Sequence, residues 1–278
     1  MPIQARPSDH YDAVVIGTGA GGGTAGYKLA ARGRKVLFVE RGGVFDDAAL
    51  FQDERAMQIE KRAADDRRFN FGTLKDTAFI GGVAGGSTAL YGACLMRPGE
   101  VDFTPGKYYH RHLGRSLWEW PVSYEEMAPF YTEAEAIYRV AGAVDQAIPH
   151  LERRPAPYPA KPLPLHPTNE ALRNHLAKGG LHPFLLPMGI DPQTCDRCAA
   201  CPGYICPNGA RASSLNRCIT PAMEKHGATL LTRTEVVGVR KRGRRLQALT
   251  LRNSAGCHRV TADLFIPVSY THLTLPTN

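Results

Sequence analysis

The chain has 278 residues, enough for one large or two small domains, and its 43% hydrophobic and 22% charged content is ordinary for a globular protein. No apolar run approaches the roughly 20 residues a bilayer span needs, and the polar residues 1–10 lack the apolar core of a secretory signal, so the expected location is cytoplasmic or left unassigned. The formal charge of +8 admits nucleic acid or an anionic membrane, but five basic residues, Arg240, Lys241, Arg242, Arg244 and Arg245, crowd around Gly243 between apolar runs. That pattern is a solvated β-hairpin turn, and without interleaved aromatics it gives no support to a nucleic-acid partner.

Residues 11–43 organise the chain. The apolar run 13–16 reads as a buried parallel strand. Gly17, Gly19 and Gly22 follow at G-x-G-x-x-G spacing and open a helical segment rich in Ala and Leu. Another apolar run, 36–39, ends at Glu40. Gly17 lets the chain turn out of the strand, Gly19 lets a pyrophosphate approach the backbone, and Gly22 lets the helix pack close to the sheet. The helix N-terminus offers unpaired N–H groups to phosphates. Glu40 lies at the position where a carboxylate accepts hydrogen bonds from both ribose hydroxyls and repels a 2′-phosphate. The spacing predicts dinucleotide binding and does not choose between FAD and NAD.

Residues 44–78 carry many charges and no clear period, apart from a helical patch over 48–62. Then comes Phe79-Ile-Gly-Gly-Val-Ala-Gly-Gly-Ser-Thr-Ala-Leu-Tyr-Gly-Ala-Cys-Leu-Met-Arg-Pro98. Its glycines, Gly81, Gly82, Gly85 and Gly86, leave a loop with few side chains that can lie flat against a large planar ligand. Further on, Ser123 and Glu126 form a capping box that opens a helix running to about Val140.

Together the two glycine-rich stretches resemble the glucose–methanol–choline (GMC) family of flavin oxidoreductases. The stretch at Gly17 is similar to the family's FAD-binding βαβ unit. The stretch at Gly85 is similar to its flavin-contacting signature: Gly85-Gly86-Ser87-Thr88, then Tyr91 where an Asn is common, then Arg97-Pro98. The segment 118–135, from Trp118 to the helix, is also similar to the family. The resemblance implies an α/β fold: a Rossmann-like FAD/NAD(P)-binding domain with an inserted cysteine-rich, Pro-rich segment, and a substrate domain largely missing from the chain. It implies FAD contacts at Gly17, Gly19, Ala20, Gly21, Gly22, Glu40, Arg41, Gly85, Gly86, Ser87, Tyr91, Gly92 and Ala93. Near Val236 and Val237 the backbone is expected to meet the adenine.

Seven of the 21 prolines fall in residues 149–167, which reads as an extended connector. Residues 168–178 form a short helix candidate with Asn169 as a cap, and 181–188 a strand candidate weakened by Pro183 and Pro187. Cys195, Cys198, Cys201 and Cys206 follow as C-x2-C-x2-C-x4-C-P, one residue longer than the bacterial ferredoxin run. Spacing leaves an iron–sulfur cluster, structural zinc, and disulfides or free thiols all open. The family resemblance divides the same way, since a subset of GMC dehydrogenases holds an iron–sulfur cluster. Cys94, Cys218 and Cys257 are isolated and read as ordinary buried thiols. A helix candidate over 214–225 is ended or kinked by Pro221, and strands are expected within 229–240, 246–252 and 260–266.

The expected domains are 11–148, the first part of the FAD-binding domain; 149–208, the Pro-rich connector and Cys-rich insertion; 209–266, the return to that domain; and 267–278, a non-native tail resembling translated sequencing adapter. The resemblance places the catalytic His and its His or Asn partner beyond Ile266, so no catalytic residue is assigned and His272 takes no role. The activity implied is hydride transfer from an alcohol or sugar to flavin, with an electron-accepting subunit as a further partner. Two alternatives stand beside it: an iron–sulfur/flavin electron-transfer protein, and a non-catalytic nucleotide-binding module.

Overall fold

The computed structural model describes residues 10–77, 80–107, 109, 119–145 and 154–268. Phe79, Trp118, the start of the proline-rich connector at Pro149, and residues 269–278 with His272 lie outside the described residues. The chain divides into two compact units, Met1–Gly92 with Arg197–Asn278, and Ala93–Asp196. No helix among the described residues is long and apolar enough to cross a membrane.

In chain order the first unit contains β1 (His10–Ile16), α1 (Ala20–Ala30), β2 (Val36–Val39), the hairpin of β3 (Arg68–Phe71) and β4 (Leu74–Thr77), β5 (Thr229–Leu231), β6 (Glu235–Arg242), β7 (Arg245–Asn253) and β8 (Gly256–Pro267). Among the described residues the main sheet is ordered β5-β2-β1-β8-β7-β6. Its β5, β2, β1 and β8 strands are parallel, and β8, β7 and β6 form an antiparallel meander. The β6–β7 turn at Gly243 and Arg244 lies within the basic run, whose residues are exposed as a solvated turn requires.

The continuous apolar runs in β1 and β2 follow from burial on both faces. Val14, Ile16, Leu37 and Val39 pack on one side with Leu249, Leu251 and Val260. Ala13, Val15, Val36 and Phe38 pack on the other with Ala30, Ile219 and Ala222. Successive side chains point to opposite faces, so one strand serves two cores. α1 can close on β1 because Gly22 has no side chain: a Cβ there would lie 2.0 Å from the Gly17 carbonyl oxygen. The sheet continues to the end of the described chain, where the Val268 N–H donates to the Ile16 carbonyl at 3.0 Å.

The second unit is built on the helix Tyr124–Tyr138. Ser123 Oγ accepts from the Glu126 N–H and the Glu126 carboxylate accepts from the Ser123 N–H, the capping box that the sequence predicts. Phe103, Tyr124 and Ala128 form a small core against it. Deeper along the same helix, Glu135 holds two arginines whose side chains are buried. Arg97 donates through Nε at 2.9 Å and Nη2 at 2.7 Å, while Arg154 donates through Nη1 at 3.2 Å and again through Nη2. Burial works against the Arg97 charge, but its bonds to Glu135 outweigh that and raise its pKa.

Several local expectations need correction. The helix Pro167–Lys178 is capped by His166, whose ring accepts from the Thr168 N–H at 3.3 Å, and Pro167 already occupies the first turn, so Asn169 is inside the helix. Residues 181–188 form no strand, since Pro183 and Pro187 lack N–H groups, and only Met188 bridges, to Cys94 and Ala141. The helical patch over 48–62 is reduced to two single turns, Ala48–Leu50 and Arg55–Ile59. Pro221 does not end its helix: a wide turn, Leu215–Ile219, runs directly into Thr220–His226, with helical backbone at both Ile219 and Thr220.

Replacing Glu135 by Gln leaves two buried guanidinium groups sharing a neutral amide. The expected cost is about 3–5 kcal/mol of unfolding free energy, read by urea denaturation of the variant against the parent chain.

Candidate functional site

The first unit carries a cavity of about 440 Å³ at the C-terminal ends of β1 and β2. That volume falls within the ~300–1,000 Å³ of small-molecule and cofactor sites. One wall is the first glycine-rich turn: Gly17, Thr18, Gly19, Ala20 and Gly21. Another is the strand end at Glu40, Arg41 and Gly42, and a third is the second glycine-rich loop at Gly81, Gly82, Gly86, Ser87 and Thr88. Thr234 and Val236 close one side, with Val268 on another part of the rim.

Side chains that face inward hold these walls together. Glu40 Oε2 accepts from Thr18 N at 3.1 Å and from Thr18 Oγ1 at 2.5 Å, and Oε1 accepts from the Gly42 N–H at 2.7 Å. The Thr18 hydroxyl also accepts from the Gly85 N–H at 3.0 Å, so one fully buried oxygen touches two walls. Thr88 Oγ1 donates to the Gly85 carbonyl at 2.5 Å and accepts from the Ser214 N–H at 2.8 Å. Ser214 Oγ returns to the Gly19 carbonyl at 3.1 Å. Gly85 has φ +94, a left-handed conformation that a side chain would oppose.

On the remaining wall, Asp65 is almost fully buried between two arginines. Arg41 Nη2 reaches Asp65 Oδ2 at 2.5 Å, Arg67 Nε reaches Oδ1 at 2.8 Å, and Arg67 Nη2 also bonds the carboxylate. Burial alone pushes the Asp65 carboxyl pKa up. The side-chain and backbone hydrogen bonds from Arg67 and the pairing with Arg41 outweigh it and hold the group well below the usual carboxylate range.

Of the residues predicted from sequence, Gly17, Gly19, Ala20, Gly21, Glu40, Arg41, Gly86, Ser87 and Val236 line this cavity. Gly22 and Gly85 stand behind the lining, as the packing of α1 and the bond to Thr18 require. Tyr91, Gly92 and Val237 are outside it; the Tyr91 hydroxyl donates to the Ala212 carbonyl at 2.7 Å. Ala93 is fully buried and belongs to the other unit. Sequence reasoning missed Thr18, Asp65, Arg67, Thr88, Thr234 and Ser214. Thr18 had a signal, since it is the hydroxyl residue between Gly17 and Gly19, and Thr88 had a weaker one, following Ser87 after the Gly85-Gly86 pair. Asp65 and Arg67 are part of a charged run that has no period.

Among the described residues, no three His, Cys, Asp or Glu side chains are placed to hold a metal ion, which leaves ligation by Cys195, Cys198, Cys201 and Cys206 unsupported. None of the four is in a disulfide among the described residues; of the isolated cysteines only Cys218 is buried as expected, while Cys94 and Cys257 are exposed. The segment after Arg197 is gathered by its carbonyls instead. The buried Arg211 guanidinium donates to the carbonyls of Tyr91 at 2.8 Å and Tyr204 at 2.6 Å, and also to those of Ala89 and Cys201. The Cys206 thiol bonds Asn208 Oδ1 at 3.1 Å, and Cys198 Sγ accepts from Gln52 at 3.1 Å. Burial lowers the Arg211 pKa, opposed by the neighbouring thiols and Tyr91.

A family model described as GMC oxidoreductase matches residues 11–268. The chain is 32% identical over 166 residues to the 2-methyl-1,2-propanediol dehydrogenase of Mycolicibacterium austroafricanum, covering 55% of this chain and 30% of that protein. It is 28% identical over 269 residues to the 6'''-hydroxyparomomycin C oxidase of Streptomyces lividus, covering 92% of this chain and 47% of that protein. The crystal structure of pyridoxine 4-oxidase from Mesorbium loti shares the fold, with a TM-score of 0.59 at 19% identity over 92% of this chain and 48% of that one. The chain spans about half the length, or less, of these relatives.

The Asp65 pairing predicts an acid-limb slope in stability. A carboxyl held below its unfolded value of about 3.9 stabilises the fold fully above that pH, and the contribution shrinks progressively as pH falls from there toward the depressed folded value. Asp65→Asn is expected to flatten the loss of stability between about pH 5 and pH 3, as measured by thermal melts across that range.

Proposed function

The chain belongs to the GMC oxidoreductase family, and from that premise we propose that it forms the FAD-binding half of an enzyme that oxidises the CH–OH group of an alcohol or sugar. The carrying observation is the approach to α1. Gly19 is the N-cap, no side chain caps the helix, and a Cβ on Gly19 would meet nothing within 4 Å. Open space therefore lies before a helix N-terminus, the arrangement that favours a pyrophosphate. The residues present fit FAD in this respect, and the neighbouring carboxylate of Glu40 fits a ribose.

In this reading Gly19, Ala20 and Gly21 face the pyrophosphate at the helix N-terminus, while Gly17 forms the turn that leads there, its own N–H donating to the Val39 carbonyl at 2.9 Å. Glu40 Oε1 accepts a ribose hydroxyl, with Arg41 beside it, and the strand at Val236 borders the adenine. Gly86 and Ser87 present a nearly side-chain-free wall to the planar ring system. Gly22 and Gly85 support these walls from behind. FAD bound here supplies hydride acceptance from the carbon that bears the substrate hydroxyl. The residues of this chain bind and orient it and exclude water from the cavity. The names of the two curated relatives, a propanediol dehydrogenase and a hydroxyparomomycin oxidase, support a hydroxyl-bearing substrate.

Titration of the purified chain with FAD, followed by flavin fluorescence and visible absorbance, tests the reading. A yellow complex that survives gel filtration is expected; a folded chain that elutes colourless from gel filtration after incubation with excess FAD overturns it. Gly19→Ser separates binding from folding. Serine is a good N-cap and its Cβ has room, so the melting temperature is expected to hold, whereas FAD affinity is expected to fall by about tenfold or more as the side chain meets the pyrophosphate.

A further inference from the structure

The two glycine-rich loops have few side chains with which to hold each other, and yet both line one cavity. A backbone bridge from Gly43 to Val83 ties the segment after Glu40 to the second loop, and a single hydroxyl joins the first loop, the Glu40 carboxylate and the Gly85 turn. Thr18 Oγ1 donates its only hydrogen to Glu40 Oε2 at 2.5 Å and accepts the Gly85 N–H at 3.0 Å. Thr18 is fully buried, so water cannot substitute for either bond. The hydroxyl also has a fixed polarity: the ionised carboxylate accepts, which leaves the oxygen lone pairs for the amide.

We propose that Thr18 is a positioning residue of this site, its hydroxyl setting the Glu40 carboxylate and the Gly85 turn in register so that both walls meet one ligand. The inference rests on the FAD reading for the identity of that ligand, but the bridge itself is a property of the chain. Two consequences follow from its geometry. Without the hydroxyl, Glu40 Oε2 keeps only the Thr18 N–H and can swing toward the cavity. The Gly85 N–H loses its acceptor in a buried setting, which favours a different turn at Gly85 and displaces Gly86 and Ser87 with it.

The test compares the parent chain with Thr18→Val, which matches the shape and lacks the hydroxyl, and Thr18→Ser, which keeps it. Two readouts are taken: FAD affinity by fluorescence titration, and hydrogen exchange of the peptide containing Gly85 in the absence of FAD. Thr18→Val is expected to weaken FAD by about tenfold and to speed exchange at Gly85, while Thr18→Ser restores both to within about twofold. If Thr18→Val does not fold, Thr18→Ala takes its place with the same expectations. The proposal is overturned if the hydroxyl-free variant binds FAD within twofold of the parent, or if Thr18→Ser is as impaired as Thr18→Val, which would assign the effect to packing of the methyl group. If neither the parent nor any variant binds FAD, the cofactor reading fails by itself. Exchange at Gly85 then decides the bridge, with unchanged rates overturning it and faster rates in Thr18→Val sustaining it.

Discussion

Glycine-rich backbone can approach a ligand closely, but it has little of its own with which to keep a shape. Here the shape rests on a chain of hydrogen bonds that starts at Glu40, passes through the Thr18 hydroxyl to Gly85, continues through Thr88 to Ser214 and returns to the Gly19 carbonyl. Each hydroxyl joins segments far apart in sequence, and each is buried or half-buried. Removing one link leaves a polar group without its partner, which costs more than the bond itself contributes. The sheet supplies the other half of the constraint. β1 and β2 end side by side with both faces packed, so Gly17 and Glu40 leave the sheet at neighbouring points.

Three arginine arrangements show different ways of holding a cation that is partly or fully removed from water. Arg97 and Arg154 share one carboxylate, Glu135, on a helix. Arg41 and Arg67 share Asp65 at the cavity wall. Arg211 is surrounded by main-chain carbonyls, and its Nε has no hydrogen-bond partner among the described residues. Carbonyl dipoles can satisfy donors but do not neutralise charge, which agrees with a lowered pKa for Arg211 and a raised one for Arg97. The Arg211 cluster also gives the cysteine segment its path, because Cys201 and Tyr204 turn their carbonyls toward the guanidinium. Cysteine spacing in the sequence carries no trace of that constraint.

What was legible in the sequence was whatever repeats or spaces itself. The apolar runs of β1 and β2, the glycine spacing before α1, the Ser123 capping box and the basic turn at Gly243 each depend on a local pattern, and each is found in the structure. The hairpin of β3 and β4 was not legible, because the alternation in Arg68-Phe69-Asn70-Phe71 lasts only four residues and Leu74-Lys75-Asp76-Thr77 does not continue it. Asp65 and Arg67 were lost for a related reason: a charged run reads as a solvated face unless it is known what it folds against. His166 was passed over as a cap because Asn is the commoner one, although Pro167 at the first turn marked the true start. Patterns of type identify elements, whereas a pair such as Thr18 and Gly85, 67 residues apart, is fixed only when the sheet closes.

The hydrogen bonds on Glu40 narrow what that residue can do. A carboxylate has about four acceptor positions, two on each oxygen. Thr18 fills both on Oε2 through its N–H and its hydroxyl, and the Gly42 N–H fills one on Oε1. One position is left for a donor in the cavity. A sequence reading that gives Glu40 both hydroxyls of a ribose asks for two. If FAD binds as proposed, this geometry favours one strong charge-assisted bond from Glu40 over a bidentate grip, leaving the surrounding backbone to orient the sugar. The negative charge of that carboxylate still opposes a phosphate at the same place. Arg41 does not relieve this repulsion, since its charge is already committed to Asp65. Which charges at this end of the cavity are already paired is a property that neither the glycine spacing nor the presence of Glu40 could disclose alone.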